Sequence, residues 1–158
     1  DRSPTVIEAP IASHAADRKR MAITPGGRQA RTDAHVVARF GVADLLRLEL
    51  HSGRTHQIRV HLEHIGHPVV GDPTYAGGGS RRVSGAARRD AEALEGVTPR
   101  QAPHAAGLAF RHPATGDPME FRAEWPSDLR ESLDLVGGRE VVAHPEPLSY
   151  LLFYNRDG

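Results

Sequence analysis

Between Leu50 and Tyr75 the chain crowds groups that donate hydrogen bonds or carry positive charge: Arg54, His56, Gln57, Arg59, His61, His64 and His67. On so short a stretch they suit a site that grips anionic or polar groups. Arg54 and Arg59 could hold a phosphate or a carboxylate through their guanidinium forks, helped by a helix N-terminus. A plainer reading fits the same residues, a solvated helix face on which Arg59 pairs with Glu63, worth only about 0.3–0.5 kcal/mol. The histidines raise zinc as an alternative, since His61 and His64 are neighbours on one helix face. No His-Glu-x-x-His motif occurs, the chain has no Cys, and no third ligand has a fixed place, so neither metal nor cofactor is expected. Gly71-Asp72-Pro73 reads as a turn in which Asp72 bonds its own backbone. As a nucleophile Asp72 would lack a second acid or base. No Gly-x-Ser-x-Gly, P-loop or dinucleotide fingerprint is present.

The elements that must position these groups follow from hydrophobic period. A short strand is expected near Val6–Ile7 and another over 19–24, before a Pro25-Gly26-Gly27 turn. Residues 30–40 and the alternation from Leu46 to Leu50 read as two strands of an antiparallel meander, joined through 41–44. The period then changes. Ile58, Leu62 and Ile65 form one apolar helical stripe over 54–65. Ser52 or Thr55 could cap its start, and Gly66 and Pro68 end it. Residues 77–100, rich in Gly and Arg with little periodic apolar content, read as a variable loop. Two strands over 104–112 and 118–125 flank a 113–117 connection. A helix capped by Ser127, carrying Leu129, Leu133 and Val136, would stop at Gly137-Gly138. No assignment follows for residues 139–158.

The chain has 158 residues, 39% hydrophobic and 25% charged, which places it among globular domains. Its longest apolar runs fall far short of the roughly 20 residues a membrane span needs, so no membrane partner is expected. Lys+Arg and Asp+Glu are 20 each, so net charge alone points to no partner. The distribution says more: Arg18, Lys19, Arg20, Arg28 and Arg31 precede the next acid at Asp33. Lys19 is the only lysine, and arginine is the better bidentate phosphate binder. The absence of Cys fits a reducing compartment, and a cytoplasmic monomer is expected.

Gly53-Arg54-Thr55-His56-Gln57-Ile58-Arg59-Val60-His61, then Gly66-His67-Pro68-Val69-Val70-Gly71-Asp72 and Tyr75, closely resembles the signature of the RluA-type RNA pseudouridine synthases. Arg18-Lys19-Arg20-Met21-Ala22 resembles that family's basic segment. His104-Ala105, Phe110-Arg111-His112-Pro113 with Gly116, and Phe121-Arg122-Ala123 resemble its closing hairpin. The resemblance covers roughly residues 4–136. It implies an α+β fold with a mixed, mainly antiparallel sheet flanked by helices, expected to be incomplete in this chain. It also implies isomerisation of specific uridines to pseudouridine in structured RNA, ribosomal or transfer, with no cofactor or metal. In the family a conserved Asp attacks a flipped-out nucleotide and an Arg orients that Asp. The matching Arg is Arg59. The resemblance makes Arg54, His56 and Gln57 site-supporting or RNA-touching, and Arg18, Lys19 and Arg20 phosphate contacts. The family's His-Arg-Leu-Asp nucleophile motif and its base-packing Tyr motif do not occur in the sequence. Residues 1–137 are accordingly expected to be the C-terminal part of a catalytic domain, inactive alone, with 77–100 a variable loop and 138–158 a C-terminal tail. The alternative is a non-catalytic RNA-binding module or a degenerate relative.

Overall fold

The computed structural model describes residues 4–155; the outermost parts of both expected segments, 1–3 and 156–158, lie outside the described residues. The strands are β1 (Thr5–Glu8), β2 (Ile11–Ser13), β3 (Met21–Ile23), β4 (Arg31–Arg39), β5 (Asp44–Leu50), β6 (Gly107–Arg111) and β7 (Pro118–Arg122). The helices are α1 (Gln57–His64), α2 (Ala87–Val97), α3 (Arg130–Ala143) and α4 (Pro147–Tyr150). The α+β class stands. Among the described residues, however, every pairing is antiparallel, and the strands form three sheets, β1-β4-β5, β2-β3 and β6-β7, not one mixed sheet.

β4 is the central strand, pairing with β1 from Thr5↔Ala34 to Glu8↔Arg31 and with β5 from Thr32↔Leu50 to Arg39↔Asp44. A bulge between Val36 and Ala38 bends its far end. One face of this sheet takes the apolar stripe of α1. Ile7, Leu62 and Val69 form a buried cluster, with Leu46, Leu48, Ile58, Ile65 and Ala102 packed around it.

The end of α1 follows its sequence. Gly66 at φ 82 donates to Glu63 O and His67 N–H donates to Leu62 O, both at 2.9 Å, the paired bonds of a Schellman turn. The start does not. Neither Ser52 nor Thr55 caps it. His56 occupies the cap position in the left-handed region (φ 56) and makes no side-chain cap bond. The Ser52 hydroxyl instead donates to Gln57 Oε1 at 2.8 Å.

Two further expectations are corrected. The 77–100 segment is not a loop: a 3-10 turn over Gly79–Arg82 leads into α2, whose Leu94 is buried. Its ends are pinned together, with Ala102 N–H donating to Val70 O at 3.0 Å. Gly71 lies so close to this crossing that a Cβ would sit 2.3 Å from Arg100 O. Ser127 opens a 3-10 turn and caps no helix. At Gly137-Gly138 the expected stop is present: Gly138 (φ 72, ψ 175) leaves the helical region and ends the first run of α3, and a second run follows in which Val141 is buried. The residues after 137 are held by long-range bonds. Glu124 accepts from the amides of Leu148 and Ser149, Arg47 Nη1 donates to Phe153 O, and Tyr154 donates to Ala123 O. No helix of the described residues is long and apolar enough to cross a membrane.

Candidate active site

Arg59 sits in the first turns of α1 and its side chain is 11% exposed. Its partner is not Glu63 but Asp72. Nε donates to Asp72 Oδ2 at 2.7 Å and Nη2 to Oδ1 at 2.8 Å, a bidentate pair across a fully buried carboxylate. Asp72 Oδ1 also accepts the amides of Thr74 and Tyr75 at 2.8 and 3.0 Å, so the expected turn exists and the same side chain anchors the arginine. Burial pushes the Asp72 carboxyl up, but Arg59 and the two amides outweigh it and leave it below the usual carboxylate range. With both oxygens occupied and no exposure, Asp72 is unsuited to attack a substrate.

Tyr75 closes the cluster. The Arg59 guanidinium carbon lies 4.7 Å from its ring centroid and that of Arg20 lies 5.3 Å away. Its hydroxyl receives the Met21 amide at 2.7 Å and meets His56 Nδ1 at 2.8 Å. One phenol therefore joins the start of β3, the cap of α1 and the Asp72 turn. Sequence reasoning placed no role on Tyr75; its place in the unbroken run with Asp72 was the available signal.

Gln57 is only 3% exposed, a position that suits the supporting one of its two expected roles. Its Nε2 donates to Arg31 O and Thr32 Oγ1, and its Oε1 accepts from Ser52 Oγ and Arg54 N–H. It fixes α1 to β4. One turn on, His61 is fully buried. Its Nε2 donates to Ala9 O at 3.0 Å and its Nδ1 meets the Thr32 hydroxyl at 2.9 Å. Burial holds His61 below the usual histidine range, outweighing the Ala9 bond. These two side chains are structural.

The remaining expected residues scatter. Arg54 is half-buried and donates through Nε to Gln29 O at 3.1 Å. Arg18 and Lys19 are exposed, whereas Arg20 lies half-buried on Tyr75 with its Nε enclosed and unpaired. Among the described residues no three His, Cys, Asp or Glu converge as a metal site. Beside α1, Arg54, His56, Arg59 and Gln101 help line a cleft of about 220 Å³.

Residues 3–64 match the model of the family described as RNA pseudouridylate synthase. The chain is 40% identical over 144 residues to "Ribosomal large subunit pseudouridine synthase D" of Vibrio vulnificus (strain CMCP6), covering 91% of this chain and 43% of that protein. It is 42% identical over 145 residues to the Escherichia coli (strain K12) protein of the same name, covering 92% and 44%. The chain thus spans less than half the length of these relatives. Among solved structures, "Human RNA Pseudouridylate Synthase Domain Containing 1" superposes with a TM-score of 0.57 at 27% identity, covering 84% of this chain and 51% of that one.

Proposed function

The chain belongs to the RNA pseudouridylate synthase family, and on that premise we propose that it serves an enzyme isomerising specific uridines to pseudouridine in structured RNA, of ribosomal or transfer type. The observation that carries this reading is the setting of Arg59. Its guanidinium is held from two sides by Asp72 and Tyr75, borders the cleft, and keeps Nη1 without a protein partner among the described residues. A fixed cation with one free edge suits a second carboxylate. In this reading that carboxylate is a nucleophilic Asp contributed by the parent protein outside this chain. It bonds to the nucleotide as N1 of the base leaves the ribose; the freed base turns, its C5 bonds to ribose C1′ as the carboxylate is released, and the proton lost from C5 is balanced by one taken up at N1. Arg59 keeps the carboxylate ionised and oriented. The exposed Arg18 and Lys19 and the outer edge of Arg20 would meet RNA phosphates, and the enzyme would work in the cytoplasm as a monomer.

The test uses the full-length gene. Its deletion should remove one or more pseudouridines on mapping of cellular RNA, and the intact gene should restore them. Complementation with Arg59→Ala, at matched protein level, should leave the sites as uridine. Unchanged modification would refute the role given to Arg59.

A further inference from the structure

His56 pays two local penalties. It is a non-glycine residue in the left-handed region, and it holds the N-cap position of α1 without the side-chain bond that Ser, Thr, Asp or Asn would supply there. Stability of the helix alone does not select that arrangement. What it achieves is the placement of Nδ1 on the Tyr75 hydroxyl at 2.8 Å.

The direction of that bond is fixed by hydrogen-bond supply. Tyr75 is 2% exposed, and its oxygen already accepts the Met21 amide. The phenol proton has His56 Nδ1 as its acceptor. A proton on Nδ1 would turn the bond around and leave the phenol O–H buried without a partner, which is costly. The ring proton therefore sits on Nε2. That nitrogen is on the edge of the ring away from Tyr75, and no protein acceptor meets it among the described residues. His56 is half-buried and borders the same cleft as Arg54 and Arg59.

We propose that His56 touches the substrate, offering Nε2–H to an acceptor oxygen of the bound nucleotide while Tyr75 locks the tautomer. The inference rests on the reading that the cleft takes a uridine of RNA.

The test uses the full-length protein of which this chain is part, labelled with nitrogen-15, and a structured RNA fragment carrying a uridine that the deletion mapping identifies as its target. In the free protein the His56 ring should show a bare Nδ1 and a protonated Nε2; the opposite tautomer overturns the lock without reference to RNA. On adding RNA, the Nε2 resonance should move. His56→Asn keeps an acceptor for Tyr75, tolerates the left-handed backbone and removes the outer donor. It should melt as the parent does yet bind the RNA about tenfold more weakly, the scale of one hydrogen bond. Equal binding by His56→Asn, or an unmoved Nε2 resonance in the RNA-bound parent, overturns the substrate contact and leaves the family reading intact. Failure of the parent to bind RNA at all counts against the family reading itself, and with it the nucleotide as acceptor.

Discussion

At Asp72 both carboxylate oxygens are spoken for, by the Arg59 fork on one side and two turn amides on the other. Removing the charge while keeping the shape leaves a guanidinium enclosed without its counter-ion. Asp72→Asn should therefore destabilise the protein by about 3–5 kcal/mol, read from urea unfolding. A double change to Asp72→Asn and Arg59→Met should recover part of that loss, because the stranded cation goes too. The turn at Gly71-Asp72-Pro73 was legible from residue type alone. The partner of Asp72 was not: it lies 13 positions back, and only the Schellman turn at Gly66 swings the chain round to meet it.

At the scale of elements, hydrophobic period located α1 through Ile58, Leu62 and Ile65. It could not show that Gln57 and His61 are buried as well, since both are polar and owe their burial to partners on β4 and in the segment before it. The opposite failure occurs in α2. There Ala87, Ala91, Leu94 and Val97 do recur at helical spacing, but only Leu94 is fully buried and two of the four are alanines, so the stripe stands out weakly against its Gly and Arg background. On β4, the Arg31 guanidinium holds the Asp33 carboxyl at about 2, with His51 from the end of β5 adding to it and partial burial opposing. A carboxyl with a lowered folded value contributes stability above its ordinary 3.8 and loses it as pH falls toward 2. Unfolding free energy should decline across that interval, and Asp33→Asn should flatten the decline while lowering the plateau at neutral pH.

For the molecule as a whole, the last residues were illegible because their anchors are distant. Arg47 on β5 and Glu124 after β7 hold a segment whose own sequence carries no clear period. By contrast, the order of strand, strand, signature helix and hairpin was readable, since each is a local pattern. The whole excursion from Tyr75 to Thr98 leaves and returns at one crossing, where Val70 bonds Ala102 and Gly71 abuts Arg100. Gly85, exposed and free of neighbours, lies on that excursion between the 3-10 turn and α2. A flexible insert of about ten Gly and Ser residues after Gly85 should cost no more than about 0.6 kcal/mol in unfolding experiments. Because Gly85 faces open space between two elements while α2 stays anchored on α3, a dye or even a reporter domain grafted there would ride on the protein as a passenger, giving a handle for watching the proposed RNA encounter without disturbing the Arg59 pocket.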